Sequence, residues 1–316
     1  MKLMEWLTQA LVVVAALVAA PLFLGWINQC RAWLQNRSAP NLLQPYRGLR
    51  KLFFKDAVIA DSASPIFRVA PYVVFATMVT AAAIIPSTGT RLPFASAADA
   101  IALVGLFATA RVFLSLAAMD IGTAFGTLGA RREMMVGFLA EPALLMIVFV
   151  ASLISATTAL PVISERLATH GLALYPSLAF TGVAFTMVLL AENARIPVDN
   201  PSTHLELTMI HEALLLEYSA RHLALMEWAA ALKLFNYACI GFALFVPWGA
   251  AMGEAGPEAL LVSIPMLGAK LMVAGAVLAL VETLSAKLRV FRAPEFLATA
   301  FIFAVLGLLV HLLLGA

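Results

Sequence analysis

Apolar runs of about 20 residues recur along this chain, and each is long enough to cross a hydrocarbon core of roughly 30 Å as a helix. A bilayer offers no water to unpaired backbone groups, so such runs must form helices that satisfy their own hydrogen bonds. Apolar residues make up 63% of the chain and charged residues 12%, which leaves little sequence for a soluble domain. The sequence therefore predicts an all-α, polytopic integral membrane protein with a single membrane domain over residues 1–316.

Turn signals between the apolar runs divide the chain into about eight predicted transmembrane helices. The first run, from Trp6 to Ile27, is too long for the apolar part of a signal peptide and predicts the first span. The predicted helices cover residues 4–27, 66–86, 99–119, 134–157, 174–191, 223–247, 259–284 and 295–314. The glycine-rich stretch GTAFGTLGA (122–130) is predicted to be a loop, because no strand–turn–helix context surrounds it.

Basic residues are concentrated in alternate connections between the predicted helices, and the positive-inside rule places these connections in the cytoplasm. The predicted cytoplasmic loops cover about 28–65, 120–133, 192–222 and 285–294, with both termini outside. The first loop contains LLQPYRGLRKLFFKD (42–56), which predicts either a short amphipathic helix at the membrane surface or an ordinary basic loop. Either form would present a basic docking surface made of Arg47, Arg50, Lys51 and Lys55.

Several classes of function are disfavoured by what the sequence lacks. Cys30 and Cys239 are its only cysteines, and an iron–sulfur cluster needs four ligands. No CxxC, GxGxxG or P-loop pattern occurs, and a net charge of +2 is too small to indicate nucleic-acid binding. No internal repeat is visible, which disfavours an autonomous ion transporter, the alternative from another class. We predict no catalytic residue and no metal site in this chain.

Charged residues inside apolar spans are energetically costly and require a partner or a function. Lys233 and Lys270 lie near the middle of predicted spans, which favours a polar interior role. Glu227 lies near the start of the span that contains Lys233, but on a different face, so no pair within the helix is expected. Arg111 lies a turn or two from a predicted cytoplasmic end, which leaves an interfacial and an interior position open, whereas Glu282, beside Lys287, is predicted to be interfacial.

The stretch AENARIPVDNPSTHLELTMIHEALLLEYSA (191–220) concentrates carboxylates and histidines in a chain that is poor in charge. Pro197 and Pro201 predict an irregular loop, which a helix follows. Three interpretations remain: a solvated amphipathic loop, a metal site using His204, His211 and a glutamate, or a polar chamber with carboxylates whose pKa values rise on burial. The chamber is favoured because leucine, methionine and isoleucine interleave with the charges.

The same stretch is similar to the large cytoplasmic loop of the NADH dehydrogenase subunit 1 family of respiratory complex I. The family pattern is E-x-x-R-x-P-x-D-x-P, then E-L, then E-Y-S. The matching positions are Glu192, Arg195, Pro197, Asp199, Pro201, Glu206, Leu207, Glu217, Tyr218 and Ser219. Upstream, RSAPNLLQPYRGLRKLFFKD and SPIFRVAPY resemble further segments of the family.

Two departures resemble a particular branch of this family. Asn41 runs straight into Leu42, without the Gly-Pro-rich insertion of quinone-reducing members, and the segment before Glu217 is longer than theirs. Both features resemble the hydrogenase branch, which contains hydrogenase-4 component C and formate hydrogenlyase subunit 4. The alternative within the family is the quinone-binding subunit 1 of a respiratory NADH dehydrogenase.

The resemblance implies a membrane anchor and coupling subunit of an energy-converting [NiFe] hydrogenase or formate hydrogenlyase-type complex in the bacterial inner membrane. The implied partners are the hydrogenase large and small subunits, iron–sulfur subunits, antiporter-like membrane subunits and membrane lipid. The [NiFe] centre and the iron–sulfur clusters would belong to those partners, and this chain would hold no cofactor.

The resemblance also implies an acidic funnel, by which redox events in the cytoplasmic arm are coupled to protonation in the membrane. Its implied carboxylates are Glu141, Glu192, Asp199, Glu206, Glu212, Glu217 and Glu227. Arg195 is implied as a counter-charge that holds part of the cluster ionised. Lys233 joins this set of candidate residues because it lies inside a predicted span.

Overall fold

The computed structural model consists of α-helices and their connections. The described residues are 2–90, 93–170, 175–199, 209–251, 257–288 and 292–314. In chain order the helices of this part are α1 (Lys2–Leu34), α2 (Gln44–Phe53), α3 (Pro65–Ile84), α4 (Ala100–Asp120), α5 (Ala124–Ser155), α6 (Leu160–His170), α7 (Ser177–Glu192), α8 (His211–Leu215), α9 (Ala220–Phe245), α10 (Pro257–Leu284) and α11 (Ala293–Leu314). Within the described residues no strand occurs, and one short 3₁₀ helix covers Pro93–Ala97.

Among the described helices, 7 are long and apolar enough to cross a membrane. These are α1, α3, α4, α5, α9, α10 and α11. An eighth apolar helix, α7, has 16 residues and is shorter than a full span. Each predicted transmembrane segment therefore corresponds to one of these eight helices, and the prediction of an all-α polytopic membrane protein is confirmed.

Contacts between connections define the two ends of the bundle. At one end the Ser64 amide donates to Asp120 Oδ2 (2.8 Å), and at the other the Thr158 hydroxyl donates to Asp99 Oδ2 (2.7 Å). We call the first end the loop side. Its described connections are 35–64, 121–123, 193–199, 209–219 and 285–288.

The centre of the bundle is α9, which packs against α1, α2, α3, α6 and α7. In the most apolar 18-residue segment of α9, 67% of the residues are buried inside the protein, compared with 11% in the corresponding segment of α10. The hydrophobic effect does not drive helix association inside a bilayer, so close packing and interhelical hydrogen bonds must hold α9 in place. One such bond joins Asn236 Nδ2 on α9 to the Met78 carbonyl oxygen on α3 (2.9 Å).

The glycine-rich stretch at 122–130 is mostly helical, so the prediction of a loop is wrong. With 32 residues from Ala124 onwards, α5 is about 48 Å long. A Cβ on Gly126 would lie 2.6 Å from the Ala118 carbonyl oxygen, so no larger residue fits there. Small residues at contacts between membrane helices let the backbones approach closely. Gly126 and Gly129 therefore serve packing, and the connection before α5 is much shorter than the predicted 120–133.

Two short helices, α2 and α8, lie on the loop side. The segment at 42–56 contains α2, so the helical alternative is confirmed. The helix predicted across HLELTMIHEALLLEYS is only His211–Leu215 in the described residues. Its start is fixed by Asp199, whose Oδ2 accepts hydrogen bonds from the amides of Ile210 and His211, each 3.1 Å long.

Candidate functional site

Arg111 is the centre of a buried network of charged side chains. It lies on α4, is 6% exposed, and contacts carboxylates on two neighbouring helices. Its Nη1 donates to Glu141 on α5 and its Nη2 donates to Glu192 at the end of α7, while its Nε lies 3.6 Å from Glu133 Oε1 on α5. A buried charge without a partner would strongly destabilise the fold. The ion pairs of Arg111 therefore help to hold α4, α5 and α7 together.

Gly137 makes room for the Arg111 side chain where α4 crosses α5. A Cβ at this position would lie 2.6 Å from Arg111 Cδ and 2.8 Å from Cζ, and closer still to Nη1. Glu133, Gly137 and Glu141 are spaced four residues apart and therefore share one face of α5. The guanidinium thus crosses the glycine and reaches a carboxylate on each side of it.

Glu192 connects this cluster to the central helix. Its Oε2 lies 2.9 Å from Lys233 Nζ on α9, while its Oε1 accepts from Arg111. Glu192 is the last residue of α7, where the partial negative charge of the helix dipole disfavours a carboxylate. Two cations offset that effect. The result is a continuous run of charged contacts, Glu141–Arg111–Glu192–Lys233, across four helices.

The run of contacts ends at a cavity of about 440 Å³ on the loop side. The cavity lies between the end of α7, the loop residues around Arg195 and the loop-side half of α9. Its ionisable lining residues are Glu192, Arg195, Asp199, His211, Glu212, Tyr218, Glu227 and Lys233. Six residues of the predicted funnel are therefore brought to one cavity, although its lining also includes leucines and alanines.

Arg195 pairs with a carboxylate that is not part of the predicted funnel. Its Nη1 lies 3.2 Å from Glu282 Oε1 on α10, and Arg31 Nη1 on α1 lies 3.6 Å from Glu282 Oε2. Burial lowers the pKa of Arg195, and the negative charge of Glu282 raises it again in part. Glu282 is therefore an interior residue, not an interfacial one, and it joins α1, α10 and the loop.

Asp199 has a structural role at the same cavity. It is 2% exposed, and besides the two amides at the start of α8 its Oδ1 lies 3.4 Å from Lys287 Nζ. Hydrogen bonds from backbone amides to a carboxylate are stronger than those between neutral groups. This residue therefore ties the connection after α10 to the loop before α8.

The Glu-Tyr-Ser sequence before α9 fastens the first loop to the bundle. Tyr218 stacks on Phe67 with ring centroids 4.1 Å apart, and its hydroxyl donates to the Phe67 carbonyl (3.1 Å). Burial raises the pKa of Tyr218, and so does the negative charge of Asp120. Ser219 Oγ accepts from the Val58 amide (2.9 Å) and donates to the Val58 carbonyl (2.8 Å). The preceding Glu217 is exposed and does not line the cavity.

The remaining predicted residues lie in different places. Glu141 is 34% exposed and reaches the cavity only through Arg111 and Glu192. Glu206 lies outside the described residues, as does His204, so the structure places neither of them. The predicted docking residues Arg47, Arg50, Lys51 and Lys55 are all exposed on the loop side. No group of three metal-ligating side chains occurs in the part of the chain that the structure describes.

Five residues of these ion pairs were not among the predicted site residues: Arg31, Arg111, Glu133, Glu282 and Lys287. Arg111 and Glu282 carried a signal, since both lie within apolar spans, but the sequence left the position of Arg111 open and wrongly favoured an interfacial one for Glu282. Glu133 fell inside the stretch interpreted as a loop. The four-residue spacing of Glu133, Gly137 and Glu141 is the pattern from which a shared helix face could have been predicted.

A bundle of long apolar helices around a buried network of ion pairs defines a polytopic membrane protein with an ionisable interior. The chain belongs to the NADH dehydrogenase family, whose model matches residues 7–313. The resemblance found in the sequence is thus confirmed.

Two relatives come from Escherichia coli (strain K12). The chain is 33% identical over 307 residues to formate hydrogenlyase subunit 4, covering 97% of this chain and 98% of that protein. It is 36% identical over 239 residues to hydrogenase-4 component C, covering 75% of this chain and 74% of that protein. Both matches lie in the hydrogenase branch indicated by the departures around Asn41 and Glu217.

A solved structure shares the fold. A chain of the membrane-bound sulfane sulfur reductase, an archaeal respiratory membrane complex, superimposes with a TM-score of 0.83. The match covers 96% of this chain and 98% of that chain at 19% sequence identity. At this identity the likeness concerns the fold alone.

Proposed function

We propose that this chain is the membrane anchor and coupling subunit of an energy-converting [NiFe] hydrogenase or formate hydrogenlyase-type complex. In this role it links a cytoplasmic redox arm to membrane subunits that move ions. Its relationship to formate hydrogenlyase subunit 4 over nearly the whole of both chains supports the assignment to such a complex.

The observation that carries the coupling role is the run of charged contacts from Glu141 through Arg111 and Glu192 to Lys233. Two unit charges 4 Å apart interact by about 4 kcal/mol at an effective dielectric constant of 20. A change of protonation at one member of the network therefore alters the free energy of charging its neighbour. A charge that arrives at the cavity can in this way affect Glu141, at the other end of the run.

The loop side is the face we assign to the cytoplasm and to the redox arm. The basic residues of the first loop support this orientation through the positive-inside rule. They also support docking, because Arg47, Arg50, Lys51 and Lys55 are exposed there beside the cavity-forming loops. The [NiFe] centre and the iron–sulfur clusters would be supplied by the docked subunits.

Replacement of the four basic docking residues by glutamine should weaken attachment of the redox arm without unfolding the membrane domain. All four side chains are exposed, and such surface changes usually alter stability by less than about 0.5 kcal/mol. The measurement is co-purification of the hydrogenase large subunit with a tagged form of this chain from solubilised membranes. Arg166→Gln on α6, at the opposite end of the bundle, is the control and should retain the partner.

Two results would contradict the proposal. A wild-type chain that purifies without any subunit carrying nickel or iron–sulfur clusters would exclude a hydrogenase complex. Purification with bound quinone and a quinone-reducing activity that quinone-site inhibitors block would instead support the NADH dehydrogenase alternative.

A further inference from the structure

A second cavity, of about 620 Å³, lies between α1, α7, α9 and α10 and is separate from the charged network. Most of its lining is aliphatic or aromatic, including Phe185 and Phe242. Of the described residues that line it, Lys270 alone carries a charge. The cavity therefore combines a large apolar interior with one cation.

Lys270, near the middle of the apolar span of α10, lies at one end of this cavity and contacts the end of α9. Its Nζ donates to the carbonyl oxygen of Val246 (2.6 Å), the residue at which α9 ends opposite the loop side. From Lys270 the lining continues along α10 to Val281, a distance of about 16 Å for a helix that rises 1.5 Å per residue. The cation thus lies at the end of the cavity next to the end of α9, and the apolar lining extends from it along α10 toward the loop side.

The chemistry of Lys270 leaves it able to bind an anion. An ammonium group has three donors, and the carbonyl of Val246 takes one of them. The ring of Phe242, 5.8 Å from Nζ, stabilises the charge without using a donor. A ligand with an anionic head group and a long apolar chain matches both the cation and the shape.

We propose that this cavity binds an anionic phospholipid, with its phosphate at Lys270 and one acyl chain along α10. The surface of α10 is largely exposed in this chain, which leaves the cavity accessible along that helix.

The test measures lipid retention by the full-length chain purified in detergent. Wild type and variants are incubated with equal amounts of dioleoylphosphatidylglycerol and dioleoylphosphatidylcholine, and bound lipid is counted by native mass spectrometry. Wild type should retain one phosphatidylglycerol, with a preference of about fivefold over phosphatidylcholine. Lys270→Gln should lose the preference, and Lys270→Arg should keep it.

A second pair of variants tests the apolar part of the site. Ala274→Phe places a ring among the lining residues and should reduce retention of both lipids. Ala276→Phe, on the exposed surface of α10 outside the lining, is the matched control and should behave as wild type. Glycerol 3-phosphate, which has the phosphate but no acyl chain, should not displace the bound lipid.

Each of four outcomes would overturn the proposal. The first two are an unchanged preference in Lys270→Gln and unchanged retention in Ala274→Phe. The third is displacement of the phospholipid by decylubiquinone, which would identify a quinone site. The fourth is a cross-link from position 274 to another subunit, which would show that a polypeptide fills the cavity.

Discussion

Gly137 is a position on α5 where a side chain cannot be added without displacing Arg111. The Gly137→Ala methyl group would overlap the guanidinium that joins Glu133, Glu141 and Glu192. Overpacking of this kind costs about 1–3 kcal/mol, and here it would also disturb buried ion pairs. We expect Gly137→Ala to lower the thermal unfolding midpoint of the purified protein.

Gly105→Ala on α4 is the matched control, since a Cβ there meets nothing within 4 Å. In a helix interior this change usually stabilises by about 1 kcal/mol or less. If Gly137→Ala unfolded at or above the wild-type temperature, as Gly105→Ala should, the close contact between Gly137 and Arg111 would not matter for folding.

Three of the predicted site residues stood out in the sequence for different reasons. Lys233 is a charge within an apolar span, and Glu192 and Asp199 lie in the charged stretch that resembles the family's loop. The structure brings all three to the loop-side cavity, and their role stays a prediction. The partners could not be predicted, because Arg111 and Glu192 are brought together by the packing of α4 against α5 and of α5 against α7. Such a pairing depends on how each helix is rotated about its axis. An almost uniformly apolar helix has no clear amphipathic pattern from which that rotation could be predicted.

Helix α4 begins at a capped residue at the end of the bundle opposite the loop side. The carboxylate of Asp99 accepts hydrogen bonds from the Thr158 hydroxyl (2.7 Å) and from the amides of Ile101 and Ala102. Burial raises the pKa of Asp99, but these hydrogen bonds outweigh burial, and the pKa of the carboxyl lies below its usual value.

This cap predicts a pH dependence with a definite sign. A folded pKa below the unfolded value of about 3.9 means that the stabilisation is complete at higher pH and is lost as pH falls through the folded value. Asp99→Asn keeps a capping oxygen that does not titrate. We therefore expect the unfolding midpoint of wild type to fall relative to that of Asp99→Asn as the pH is lowered from about 5 to about 3. A constant difference across this range would show that Asp99 does not stabilise α4 as a carboxylate.

At the level of elements, hydrophobic runs located the eight apolar helices but not all of their ends. The loop prediction for 122–130 failed because glycine there allows close helix contact, whereas the same residue type in water more often indicates a turn. The prediction for α8 was too long, because the start of this helix depends on hydrogen bonds to Asp199, which precedes the helix by more than ten residues. Tertiary hydrogen bonds of this kind leave no local pattern.

For the whole molecule, we propose that the buried charges couple chemistry in a partner to ion movement in the membrane. Glu192 is the best position for a test, because it links Arg111 to Lys233 and also lines the loop-side cavity. Glu192→Gln keeps the size of the side chain but removes its charge. Asp61→Asn, at an exposed carboxylate on the loop side, is the matched control.

The decisive measurement is the number of ions moved per hydrogen formed, in sealed membrane vesicles that contain the assembled complex. For Glu192→Gln we predict assembly and hydrogen formation close to wild type, with ion movement per hydrogen reduced severalfold, while Asp61→Asn keeps the wild-type ratio. A wild-type ratio in a fully assembled Glu192→Gln complex would contradict the coupling role of this network.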